Sequence, residues 1–525
     1  MRFLPVNLDA MLVELADLAQ TLALLASLQN KPLAGVEELV PGARTLLVRW
    51  RPAATTMARL REEILTRKLD GAAPAAGRLI TIPVHYQGED LAELAALLGI
   101  SAAEVIARHT GAEYSVAFTG FAPGFAYLSG GHASFDNIPR RATPRTRIPA
   151  GAVGLAGRFS GIYPQASPGG WQIIGQTPEA MWDLSRAQPA LLQPGDRVRF
   201  VDIAKAGYQA APATAPAPSS AVPGEASASA LEVLATGLQT LIQDLGRHGL
   251  AGQGVAASGA MDQAALKRAN RLVGNASNTA ALEAVGGGLQ LRSRGETVVA
   301  VTGASLALTL TEAKGRSWSV PSHQALALAD GDTLSLGAPS AGLRSYLAAR
   351  GGFCITPVLG SCATDTLARI GPPPLAVGDV LGLRAPANAA VVGWPETPPA
   401  ALPRPQDTVT LDIVLGPRDD WFSPAALALL CSQAWQVTPQ SNRVGLRLQG
   451  ELRLERSVQQ ELPSEGTAWG AIQVPANGQP VLFLADHPLT GGYPVIANVA
   501  SYHLDLAGQM PVHAWVRFNQ IGVVP

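Results

Sequence analysis

Leu15, Leu18, Leu22 and Leu25 fall on one helical stripe of the opening stretch MRFLPVNLDAMLVELADLAQTLALLASLQ, and the spacing predicts an amphipathic helix from Leu12 to Leu28. The strand TLLVRW and a second helix around MARLREEILTRKL complete a small α+β unit over residues 1–76. From Arg78 the period changes. LITIPVHY puts Ile80, Ile82 and Val84 on one face and Thr81 and His85 on the other, as a half-buried strand requires. After helices at DLAELAALLG and AAEVIARH, residues 114–203 are short apolar runs cut by Gly and Pro, so 77–205 is expected to be a compact β-barrel. The β texture resumes at residue 230 with one substantial helix, MDQAALKRANRLVGN, whose Met261, Ala265, Ala269 and Leu272 form an apolar face. Further on, Arg443 and Arg447 are expected on one face of a strand and Val444, Leu446 and Leu448 on the other.

Two stretches interrupt this pattern. QAAPATAPAPSSAVPGEASAS, from Gln209, has almost nothing to bury and reads as an extended Ala/Pro/Ser linker within 206–229. TPPAALPRPQDT, at 397–408, is a weaker boundary, giving units at 230–400 and 401–525. With 54 glycines and 41 prolines supplying turns, the expected fold is mainly β with flanking helices.

A net charge of −1 provides no broad basic surface, so neither nucleic acid nor an anionic membrane is an expected partner. Cys354, Cys362 and Cys431 have neither zinc nor disulfide spacing, which fits a reducing cytoplasm. Asp9, Glu14 and Asp17 interrupt the N-terminal apolar run too often for a signal sequence, and no run of 18 apolar residues occurs to span a membrane.

Walker A, H-E-x-x-H, C-x-x-C and G-x-S-x-G motifs are all missing, which argues against P-loop nucleotide binding and the common hydrolase sites. What stands out is PRRATPRTRIPAGAVGLAG, with Arg140, Arg141, Arg145 and Arg147 on a segment that Pro139, Pro144 and Pro149 keep out of a helix. Arg145 and Arg147 are the candidates to face a pocket, Arg140 and Arg141 to serve structure or a contact between subunits; pairing with carboxylates of a neighbouring domain is the alternative. The Gly169–Gly170 pair would let a ligand approach the backbone. In QDLGR, Asp244 is a candidate metal or substrate ligand and Arg247 an anion contact, unless the two form a loop salt bridge. Asp262, with Ser258 before the helix and Asn270 on it, is a candidate ligand contact or an N-cap. Glu283, isolated among small apolar residues, is a candidate acid or base if unpaired. Arg443 and Arg447 are candidates to line a cleft. His85 and His109 read as structural.

The long motifs carry a family resemblance. GFAPGFAYL, PRRATPRTRIPAGAV and YPQASPGGWQIIGQT resemble the B subunit of bacterial ATP-dependent 5-oxoprolinase, a group also described as kinase-inhibitor-like or allophanate hydrolase subunit 1. GLQTLIQDLGRHGL, SGAMDQAALKRANRLVGN, YLAARGGF, VLGSCATD and TGGYPVIANV resemble the C subunit of the same enzyme, also described as allophanate hydrolase subunit 2. The chain therefore resembles a B–C fusion, and the pair is similar to the carboxyltransferase part of urea carboxylase. The resemblance implies tandem cyclophilin-like β-barrels and the opening of 5-oxo-L-proline to L-glutamate, with ATP as co-substrate together with Mg. The expected partners are a separate 5-oxoprolinase A subunit, the lactam, and further copies of the chain. Phosphorylating the lactam oxygen creates a leaving group, and the charge that develops calls for fixed Arg and N–H donors, which suits the arginine loop. Two other readings stand: a urea-carboxylase half, against which no Met-Lys-Met biotin attachment site is found, and a kinase-binding regulator. The chain departs from the family at Cys362 and Ala363 after Gly360–Ser361, and at Pro372, where the family carries glycine with an arginine nearby.

Overall fold

The structure is a computed structural model that describes residues 1–69, 77–141, 143–206, 226–386, 391–399 and 401–522. It is mainly β. At the N-terminus the strands Arg2–Asn7, Ala10–Glu14, Thr45–Trp50 and Val36–Pro41 form a four-stranded sheet, in that order. Helices Leu18–Asn30 and Met57–Leu65 bury Leu24, Leu28, Leu60 and Ile64 against its Met11, Leu46 and Val48. The helix expected from Leu12 starts six residues later. Met11, Leu12 and Val13 are all fully buried, because Met11 and Val13 pack under the helices on one face while Leu12 packs with Ala251, Ala256 and Leu489 on the other, and Asp17 then caps the helix by accepting from Gln20 N at 2.9 Å.

The second sheet has seven strands, from Gln172–Gln176 at one edge to Leu79–Val84 at the other. Those edges meet where His85 and Gln176 exchange backbone hydrogen bonds of 2.8 and 3.0 Å, which curls the sheet toward closure. His109 is fully buried inside it, bonded to Tyr86 Oη and Ser160 Oγ and stacked on Phe200. Of the stretch expected as linker, Ala206 ends the helix Ile203–Ala206 and 207–225 lie outside the described residues. Ala226–Ser229, expected in the linker, instead begin the strand Ala226–Thr236, where Ala226 pairs with Arg384 and takes up ladder bonds that an extended linker would leave to water.

A nine-stranded sheet follows, built around the long strands Thr297–Thr311 and Thr333–Ala349. The last unit is a closed seven-stranded barrel with Leu411, Ile413, Trp435, Ile472, Leu482 and Ile496 in its core. The halves before and after the linker pack directly together. Arg418, buried in the C-terminal half, binds Glu465 and reaches Glu14 Oε1 at 2.9 Å in the N-terminal half. Gly124 N donates to Gln253 O, Ala43 N to Ser464 O, and Thr119 Oγ1 to Ala251 O across the same contact.

Candidate functional site

The arginine segment does not act as one site. Arg145 opens the strand Arg145–Ile148 opposite Ser167–Gly169. Its guanidinium is taken by Asp90, through Nη1 at 2.8 Å and Nη2 at 2.7 Å, and by Glu89 through Nε at 3.1 Å. Arg141 adds a 2.6 Å bond to Asp90. These partners lie in the same half as the arginines, so the neighbouring-domain alternative holds for Arg140 alone, which contacts Glu461 and Ser464. Arg147 is exposed, and its side chain makes no hydrogen bond or ion pair among the described residues. A side chain at Gly169 would collide with the Tyr163 ring and hydroxyl, which gives that glycine a packing reason, and the Gly170 carbonyl accepts from Arg141 N.

A second group is buried where the nine-stranded sheet meets the barrel. Arg443 ties them together. It contacts both Asp486 oxygens through Nε and Nη2 at 2.9 Å, Glu283 Oε1 through Nη1 at 2.5 Å and Gly259 O through Nη2 at 2.6 Å. Burial alone would lower its pKa, but the Asp486 and Glu283 carboxylates outweigh that and hold the guanidinium charged. Glu283 Oε2 accepts from Met261 N at 3.0 Å and Tyr346 Oη at 2.7 Å. Asp486 also accepts from Ser258 Oγ at 2.6 Å and from Thr366 N and Oγ1. Glu283 is thus a paired carboxylate tying down the helix entry. The shared strand face expected for Arg443 and Arg447 is corrected by the strand's start at Gly445: Arg443 precedes it in a turn and points into the core, while half-buried Arg447 makes no side-chain bond among the described residues. Burial lowers the pKa of Arg447.

Asp262 caps the helix Gln263–Leu272, accepting from Ala265 N at 2.8 Å, and its second oxygen accepts from Gln509 Nε2. Burial and the nearby Asp505 push it up to about 6. Asn270 bonds Thr279 O and Asn275 within the turn after the helix. The Asp244–Arg247 salt bridge does not form. Asp244 is saturated by Gly246 N, Ser361 Oγ and Cys362 N, at 2.8, 2.6 and 2.7 Å. Arg247 turns instead to the Ala363 carbonyl, burial lowering its pKa against the nearby Asp365, Asp244 and Asp486. Pro372 accepts from Thr364 Oγ1 at 2.8 Å, so this departure still anchors the loop.

Sequence reasoning brought out Asp244, Arg247, Ser258, Glu283 and Arg443, which the fold gathers here, and missed Asp486, Asp365, Gln243 and Tyr346. Asp486 carried a usable signal, a lone acid ending the apolar run VLFLA. Among the described residues no group of three or more His, Cys, Asp or Glu side chains is arranged to hold a metal ion, so no Mg ligand set is assigned. A 340 Å³ cleft lies between the halves, lined by Leu28, Pro32, Leu33 and Leu39 on one side and Gly249 and Gly252 on the other.

Residues 253–520 match the carboxyltransferase domain, subdomain A and B, and residues 1–192 match subdomain C and D. Similarity to the C subunit of Escherichia coli 5-oxoprolinase is 35% identity over 295 residues, covering 55% of this chain and 91% of that protein. Similarity to the B subunit of the Escherichia coli O157:H7 enzyme is 42% over 170 residues, covering 32% of this chain and 78% of that protein. Urea amidolyase of Saccharomyces cerevisiae is 34% identical over 54% of this chain but only 16% of its own length. The crystal structure of TTHA0988 superposes with a TM-score of 0.82 at 34% identity, covering 97% of this chain and 99% of that one. The chain belongs to the carboxyltransferase-domain family. Within it, the chain joins a unit similar to the 5-oxoprolinase B subunit to one similar to the C subunit. No helix among the described residues is long and apolar enough to cross a membrane.

Proposed function

We propose that this chain is the B–C component of an ATP-dependent 5-oxoprolinase, opening 5-oxo-L-proline to L-glutamate together with a separate A subunit. The observation that carries the reading is the match of two consecutive stretches to two different subunits of one enzyme, covering 78% and 91% of them, whereas urea amidolyase aligns over 16% of its length. The direct contact between the halves supports it, since the fusion holds the two units as a pair. Of the arginines singled out above, Arg147 and Arg447 make no side-chain bond among the described residues and Arg247 keeps two idle nitrogens, and these three are proposed to meet anionic groups of the lactam or of ATP with Mg. The test combines the purified chain with a 5-oxoprolinase A subunit, ATP, Mg and 5-oxo-L-proline and measures L-glutamate and phosphate. Release is expected from the complete mixture and not from the chain alone. Carboxylation of urea from carboxybiotin without glutamate release would favour the urea-carboxylase reading, and turnover without the A subunit would refute the division of labour.

A further inference from the structure

Three buried side chains around Ala363, Thr364 and Asp365 keep hydrogen-bonding capacity that no described residue fills. Arg247 is 2% exposed, yet only Nη2 is engaged, with Ala363 O, while Nε and Nη1 have no partner. Gln243 is fully buried and donates from Nε2 to Thr364 O at 2.8 Å, but its Oε1 accepts nothing. Asp365, 2% exposed, accepts from Leu367 N and Ala368 N through Oδ1, and Oδ2 takes no hydrogen bond among the described residues.

The neighbouring carboxylates cannot fill the gap. Asp244 is committed to Ser361, Cys362 and Gly246, and Asp486 to Arg443, Ser258 and Thr366. A buried guanidinium with two idle donors is costly unless an anion reaches it, and a buried amide oxygen calls for a donor. Burial and the adjacent Asp486 push the Asp365 carboxyl well above its ordinary range, which favours its protonated, donating form beside the free Oδ2. Cation donor, acceptor and O–H donor together complement a molecule carrying an anionic group, an N–H and a carbonyl oxygen.

We propose that Arg247, Gln243 and Asp365 form a subsite for a small amide bearing a carboxylate. Arg247 takes the carboxylate, Gln243 Oε1 accepts the amide N–H, and Asp365 donates to the amide oxygen. On the function proposed above, on which the ligand's identity rests, that amide is 5-oxo-L-proline.

The test titrates the complete complex with two probes, 5-oxo-L-proline and 2-pyrrolidinone, the same lactam without the carboxylate. Arg247→Met should weaken 5-oxo-L-proline roughly tenfold to a hundredfold and leave 2-pyrrolidinone almost unchanged, a selectivity that a purely structural role would not move. Gln243→Met should weaken both probes and serves if Arg247→Met does not fold. Unchanged affinity for 5-oxo-L-proline in the folded variants, or no binding of it by the wild-type complex, would overturn the subsite. A wild-type complex that binds the lactam through Arg247 but releases no glutamate would leave the subsite standing and overturn the proposed function.

Discussion

Arg145 holds Asp90 through two nitrogens, at 2.8 and 2.7 Å, while Asp90 also accepts from Ile173 N at 2.7 Å. The guanidinium that the sequence offers to a ligand is thus part of a three-way tie between the strands Arg145–Ile148 and Gln172–Gln176 and the entry to the helix Leu91–Leu98. Burial would raise the Asp90 carboxyl, but the Arg145 hydrogen bond, the Ile173 amide and the two arginine charges pull it below the usual carboxylate range.

Arg145→Ala is expected to cost about 2–3 kcal/mol of stability, somewhat less than a fully buried pair because the arginine side chain is 20% exposed. Arg147→Ala should stay within roughly 0.5 kcal/mol. Because the folded pKa of Asp90 is lowered, its contribution is present above the unfolded value of about 3.9 and is lost as pH falls through the folded value. Urea unfolding at pH 7 and pH 3 checks this: the difference between wild type and Arg145→Ala should be large at pH 7 and smaller at pH 3.

Glu283→Gln should destabilise the chain by about 3 kcal/mol or more, since Arg443 loses one of two buried counter-charges and the Met261 amide and Tyr346 hydroxyl lose a carboxylate acceptor. If Glu283 were instead a proton-transfer group, activity of the complete complex would fall with stability intact. Thermal unfolding beside turnover separates the two.

His109 gives a pH signature of opposite origin. Burial pushes it down to about 3, so it folds neutral between Tyr86 and Ser160. An unfolded histidine takes a proton below about 6.5, so the stability contribution is full above that pH and declines toward pH 3, by up to about 1.4 kcal/mol per unit. His487 and His323, also lowered by burial, add to the slope. Chemical denaturation between pH 7 and 4 should show a shallower slope in His109→Gln, by up to one proton; an unchanged slope would remove His109 as a contributor.

Cutting the chain at a protease site inserted between Gln209 and Glu225 should leave the two halves together on a sizing column, held by contacts such as Arg418–Glu14. Glu14→Lys, which sets two cations face to face across that contact, should loosen the cut pair and shift it toward separate fragments. Separation of the wild-type halves on cutting alone would show that the linker, not the interface, joins them.

Local pattern decided much of the secondary structure. Period-two alternation located Leu79–Val84, a stripe of small apolar residues located Gln263–Leu272, and Gly/Pro punctuation marked the chain as mainly β, because these signals follow from which face of an element meets water. The run Met11–Val13 escaped that logic: a strand covered on both faces has no alternation to show. The candidate site divided in the same way. Glu283, an isolated charge in apolar surroundings, was visible as a residue that burial would force to find a partner, and Arg247 as an anion contact or a partner for Asp244. Which partner each one found was set only by packing. Glu283 and Arg443 lie 160 positions apart, and Asp244 took Ser361 and Cys362 rather than Arg247 three residues away, because side-chain direction and loop path, not sequence distance, bring donor to acceptor.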